Sequence, residues 1–215
     1  MSTSQRRLAL ASASLVGLLA LSACASGPGS TPAPTSTSAP GGDGIESTTP
    51  ALPQGRVIAT GTVLDVAGDV QFCLGAVAES FPPQCAGLPV DDWTWDRVDG
   101  SETSGDVTWG TYAVQGTFDG ERYAVTETPI MLALYDPIRP EDPTGGVDGA
   151  ADEAELTRVQ DDISERMGAD ALSLMSDRGY VWLEVVWDDG TIQDAADADY
   201  GDDVVIVTSA LREID

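Results

Sequence analysis

Residues 112–127 read Tyr112-Ala113-Val114-Gln115-Gly116-Thr117-Phe118-Asp119-Gly120-Glu121-Arg122-Tyr123-Ala124-Val125-Thr126-Glu127. Apolar and polar side chains alternate on either side of Asp119-Gly120. Strict alternation marks a half-buried strand, and Asp-Gly between two such runs marks a tight hairpin. A two-residue turn would pair Phe118 with Glu121, Gly116 with Tyr123, and Val114 with Val125. Tyr112, Val114, Phe118, Tyr123 and Val125 then share one face, and Gln115, Thr117, Arg122 and Thr126 share the other. A slip of one residue would turn the apolar set outward, so the facing of this hairpin is well specified.

Other β signals surround it. Residues 57–66 are β-branched and alternate, residues 70–74 follow Gly68-Asp69, and residues 130–134 form a short apolar run suited to a buried strand. Cys73 and Cys85 flank eleven residues that include Phe81-Pro82-Pro83-Gln84. Their spacing lacks the Cys-x-x-Cys form of redox and zinc sites, and the chain has no histidine to complete a metal set. A structural disulfide is the favoured reading, worth ~3 kcal/mol in the chain-entropy account.

Downstream, Pro137, Pro140, Pro143, Gly145, Gly146 and Gly149 mark residues 137–151 as an acidic loop. Asp152, with Glu155 three positions on, resembles a capping box. Leu156, Val159, Ile163 and Met167 follow at helical spacing, and Gly168 is placed to end the helix. Residues 180–187 alternate as a strand that turns at Asp189-Gly190 into residues 191–194, and residues 204–208 form a last strand. The expected fold is β-rich α+β. A small antiparallel barrel or sandwich, of OB-like kind, occupies residues 56–136. One helix packed on an antiparallel sheet occupies residues 152–215.

The N-terminal quarter reads differently. Arg6 and Arg7 precede an apolar run at residues 8–20, and Leu21-Ser22-Ala23-Cys24 follows. A cationic start, a short apolar core and small residues at the cut describe a secretory signal over residues 1–23. The run of about thirteen is too short to span a bilayer, which takes about 20. The Leu-Ser-Ala-Cys ending resembles the lipobox of bacterial lipoproteins, and that resemblance implies that Cys24 is lipidated and becomes the mature N-terminus. Residues 24–55, rich in Pro, Ser and Thr, are expected to be a disordered tether. The expected address is the outer face of the cytoplasmic membrane, reached through acyl chains on Cys24.

Composition narrows the chemistry. The 215 residues hold 36 Asp plus Glu against ten basic residues, all Arg, with neither His nor Lys, for a formal charge of −26. Removing Arg6 and Arg7 with the signal leaves eight arginines against all 36 acids, a charge of −28. Such a balance argues against nucleic acid as a partner. Without His or Lys there is no Ser-His-Asp triad, Schiff-base lysine or P-loop lysine, so a general acid or base has to be Asp, Glu or Tyr. No cofactor motif is present.

Three candidate sites remain. Trp93 and Trp95 alternate within Asp91-Asp92-Trp93-Thr94-Trp95-Asp96, and Trp109 lies further on. On a strand, both Trp side chains of the first pair would share a face, as a sugar-stacking platform or as core; core packing is favoured because aromatics dominate buried area in small domains. Asp194, Asp197, Asp199, Asp202 and Asp203 surround Tyr200-Gly201, and Asp197, Asp199 and Asp203 form a weak Ca²⁺ candidate. The EF-hand pattern fails there, so a solvated acidic loop is favoured. Paired carboxylates for glycoside hydrolysis are chemically available among 36 acids.

Taken together, Phe72-Cys73-Leu74-Gly75-Ala76-Val77, Ser80-Phe81-Pro82-Pro83-Gln84-Cys85-Ala86-Gly87, Trp93-Thr94-Trp95, Thr108-Trp109-Gly110 and Gly116-Thr117-Phe118-Asp119-Gly120 resemble a recurrent module of actinobacterial exported proteins and lipoproteins. The likeness covers residues 57–135 and, more weakly, 180–214. It implies an extracytoplasmic module and no particular activity. Thr94 stands where an acid is expected between the two Trp residues, which weakens a catalytic role there. Two functions follow: a non-enzymatic module that binds an envelope protein or wall glycan, or a carbohydrate-active hydrolase using Asp and Glu beside a Trp platform. The scarcity of catalytic groups favours binding.

Overall fold

The computed structural model describes residues 44–137 and 140–214, which fall within one compact unit. The signal segment and Cys24 lie outside the described residues. The chain runs through β1 (Arg56–Val66), β2 (Asp69–Cys73), β3 (Leu88–Asp91), β4 (Glu102–Ser104), β5 (Val107–Phe118), β6 (Tyr123–Val125) and β7 (Ile130–Met131). It continues with α1 (Glu153–Met167), β8 (Ser173–Asp177), β9 (Tyr180–Val185), α2 (Thr191–Tyr200), β10 (Val205–Ser209) and β11 (Arg212–Ile214).

β1, β2, β3, β6 and β5 close into a five-stranded barrel, because β5 pairs with β1 as well as with β6. The β-rich α+β class and the small barrel are as expected. Its pairing is mixed, not antiparallel throughout: β3 runs parallel to β6. Inside, Val57, Ala59, Val63, Phe72, Tyr112, Val114, Tyr123 and Leu211 form one core. Gly116 also faces inward on β5. A Cβ there would meet the Ala124 carbonyl and the Tyr123 ring, so glycine makes room for that ring. The Tyr123 hydroxyl lies 2.8 Å from the Val114 carbonyl and 3.0 Å from the Val57 carbonyl, inside the seam that closes the barrel. Burial holds this phenol well above its ordinary pKa, so it stays a donor.

The hairpin differs from the expected register by two positions. Phe118 pairs with Tyr123 and Gly116 with Val125, leaving four residues in the turn. The Asp119 side chain accepts from the backbone N–H of Glu121 (3.0 Å) and of Arg122 (2.8 Å), so the loop is organised around that carboxylate. Gly120 alone in it takes positive φ, whereas a two-residue primed turn needs both central residues there. An even shift keeps every side chain on its expected face. Residues 130–134 are not a buried strand: β7 is two residues long, a 3-10 turn follows, and Leu134 is exposed.

In the second half α1 begins and ends as the sequence predicts. The Asp152 side chain accepts from the Glu155 N–H at 2.9 Å, Leu156, Val159, Ile163 and Met167 are buried, and Gly168 caps the end. Residues 191–194, expected as a strand after a hairpin turn, open α2 instead. Asp188 and Asp189 explain the change: their carboxylates accept the N–H groups of Ile192 (2.8 Å), Gln193 (3.4 Å) and Thr191 (3.2 Å), capping a helix start. With a helix in the connection, β10 runs parallel to β9 while β8 runs antiparallel to it, so the small sheet is mixed as well. Val181, Leu183, Val185 and Val205 from this sheet and Ile192 and Ala196 from α2 share a second core with the buried face of α1.

β11 then returns to the barrel. β2 covers residues 62–66 along β1, and β11 takes up Arg56, Val57 and Ile58. First and last strands are thus paired.

Candidate functional site

Residues 44–55, expected as the end of the tether, lie on the folded part. Ile45 is 1% exposed and belongs to the α-helical core. Its backbone N–H donates to Asp199 at 3.1 Å, and the N–H of Ala51 donates to Asp189 at 3.1 Å. The Trp187 indole donates to the Ala51 carbonyl at 2.8 Å, and the Gln54 N–H donates to Glu213 at 2.7 Å. The folded part therefore includes residues 44–55. Ile45 carries the signal for this: it is the single large apolar side chain between Cys24 and Leu52.

One arginine latches this strap. The Arg166 guanidinium donates to Glu46 (Nε, 2.8 Å), Asp199 (Nη2, 2.6 Å), Asp162 (Nη1, 3.3 Å) and the Tyr200 hydroxyl (Nη1, 3.0 Å), and Tyr200 in turn donates to Asp162 at 2.7 Å. Burial, together with the bond to Asp162, pushes the Tyr200 phenol up to about 12. Glu46 is held below its ordinary value of 4.5 by hydrogen bonds from its own backbone and from Arg166. Asp189 is lowered too, first by Thr191 and then by backbone N–H groups including that of Ala51. A depressed carboxyl stabilises the docked strap above its unfolded pKa and loses that contribution as pH falls through the folded one. The strap should stay docked at neutral pH and loosen below about pH 4. Amide resonances of Ile45 and Ala51 followed from pH 7 to 3 should move toward random-coil positions, and unmoved resonances would refute the latch.

Beside the strap lies an apolar cleft of about 480 Å³. Phe72, Leu88 and Phe118 wall it from the barrel, and Met167, Val185 and Ile192 from the α/β half, so its floor touches both cores. Ile45, Leu52 and the Trp187 ring complete the rim. Its size falls within the ~300–1,000 Å³ of small-molecule sites, which are likewise mostly apolar. Its barrel side is formed by residues of β2, β3 and the β5–β6 turn.

The predicted Trp platform does not assemble as expected. Trp93 precedes a 3-10 turn, Trp95–Arg97, so the pair is not on a strand. Both rings are half-buried against the barrel core: they meet edge-on at 5.1 Å, and Trp93 lies 5.4 Å from Tyr112. The Trp95 indole donates to Asp65 at 2.8 Å. Both rings pack on the barrel core and keep part of their surface exposed. Trp109 is one residue out of phase with Tyr112 on β5 and so faces outward, edge-on to Phe81 at 5.4 Å. Next to Trp93 is a smaller, polar hollow of about 280 Å³, bordered by Asp92, Arg97, Thr126 and Glu127.

No known protein family, curated protein or solved structure matches the chain.

The remaining candidates separate. Asp197 and Asp199 lie on α2 and Asp203 beyond its end. Asp199 is taken by Arg166, Asp197 accepts from Gln193 at 2.9 Å, and no group of three possible metal ligands converges among the described residues. Cys73 and Cys85 form the expected disulfide, with Cα atoms 6.0 Å apart, pinning the loop after β2 to the barrel. The cleft is not legible in the sequence, because its walls come from segments nearly 150 residues apart.

Proposed function

We propose that the protein is a lipid-anchored binding module at the outer face of the cytoplasmic membrane, which takes a ligand with an apolar body in the cleft beside the strap. The carrying observation is that cleft, built from both halves of the chain and framed by the segment that leads back toward Cys24. The lipobox-like ending supports the anchor, and the Cys73–Cys85 disulfide suits an oxidising compartment. Ala169 lines the cleft and is exposed, so a bulky side chain fits there without disturbing a core. A neutral apolar dye such as Nile red should bind saturably to the wild type and at least tenfold more weakly to Ala169→Trp. Equal binding by two equally folded proteins would defeat the reading.

A second reading has one observation in its favour: the polar hollow sets Asp92 and Glu127 beside Trp93, the company a glycoside hydrolase keeps. Glu127 is paired with Arg56 at 3.3 Å. Under this reading, Glu127→Gln should lower turnover of a wall-glycan oligosaccharide by about 10²-fold or more. Under binding, wild type and variant release no product.

A further inference from the structure

The charges around the cleft give the class of ligand, an inference that rests on the binding reading above. Two ionisable side chains line it, Glu46 and Asp170, and both are acids. Glu46 is committed to Arg166. Asp170 is exposed, in the 3-10 turn after α1, and makes no hydrogen bond or ion pair with any described residue. No arginine lines the cleft, and the chain has no lysine.

Backbone charge adds to this. Met167 ends α1 and, with Ala169, borders the cleft, so the negative end of a fifteen-residue helix dipole sits at its rim. The opposing contribution, the positive end of α2 at Ile192, is already met by the carboxylates of Asp188 and Asp189. The Trp187 ring is held in place by its indole bond to Ala51, and an indole face attracts cations. An unpaired carboxylate at the edge of an apolar-walled cleft adds there to the negative field of a strongly acidic protein.

We infer that the cleft selects a small amphiphilic cation, its apolar body against Phe72, Leu88, Phe118 and Met167 and its protonated amine or quaternary ammonium at Asp170. Anionic amphiphiles, including free fatty acids, are disfavoured by the same charges.

Calorimetric titration of the full-length Cys24→Ser chain with octylamine, octanol and octanoate, each below micelle formation, tests this. The amine should bind at least tenfold more tightly than the alcohol, and octanoate most weakly. Asp170→Asn should bring the amine to the affinity of the alcohol, and Ala169→Trp should abolish both. If amine and alcohol bind equally and Ala169→Trp blocks both, the cation selectivity is wrong while the cleft stands. If none of the three binds, both readings fall. An amine preference untouched by Asp170→Asn, or one that survives Ala169→Trp, places the cation elsewhere on the acidic surface and overturns the inference.

Discussion

Replacing Cys24 by serine is expected to move the protein from the membrane pellet to the soluble fraction almost completely. Each buried methylene of an acyl chain contributes ~0.8 kcal/mol, so two or three chains hold a protein firmly where one gives marginal binding. The charge of −28 expected once residues 1–23 are removed would be repelled by an anionic leaflet, and residues 25–55 hold no basic cluster to offset it. Loss of the one thiol should therefore be all-or-none in a fractionation, and the variant should no longer incorporate radiolabelled palmitate. A variant that stays in the pellet, resistant to high salt and carbonate, would show that Cys24 is not the anchor. Retention that salt reverses would point to a protein partner instead.

Tyr123→Ala is the largest expected loss of stability. Tyr123 has no exposed surface, packs edge-on to Phe72 at 5.3 Å, and places its hydroxyl against carbonyls of β1 and β5. Truncating a buried aromatic typically costs about 3–5 kcal/mol, much of the ~5–15 kcal/mol that holds a typical domain together. The melting temperature should drop by about 10 °C or more. Tyr123→Phe separates the two contributions: it keeps the ring, removes the hydroxyl, and should cost only about 1 kcal/mol. A Phe variant as unstable as the Ala variant would assign the stabilisation to the hydroxyl rather than to packing.

The two halves of the chain are not equally readable. Alternation around Asp119-Gly120 gives the buried face of the central hairpin correctly, because the side-chain period in a strand survives a register shift of two. It does not give the turn, since an Asp-Gly pair serves a primed two-residue turn and a carboxylate-organised four-residue turn alike. α1 can be read to the residue because cap, apolar face and terminal glycine all agree. α2 escapes for the opposite reason: Ile192 and Ala196 are its only buried side chains, too weak a pattern to outweigh a Gly190 that looks like a hairpin turn. Once Asp188 and Asp189 are recognised as caps, the same residues read as a helix. The strap is hidden by composition, as a single isoleucine among Pro, Ser and Thr gives no periodicity. The cleft lies beyond any local pattern, because β2, the turn after α1, α2 and the strap meet only in the folded chain.

Binding in the cleft can be tested while the ligand is still unidentified. Protein released gently from its own envelopes, wild type beside Ala169→Trp, can be weighed intact by native mass spectrometry and again after unfolding. A filled cleft predicts a small-molecule adduct of one defined mass on the native wild type, absent after unfolding and absent from Ala169→Trp. Identical native masses for the two proteins, once the substitution is subtracted, would contradict the claim that this cleft is where the protein binds.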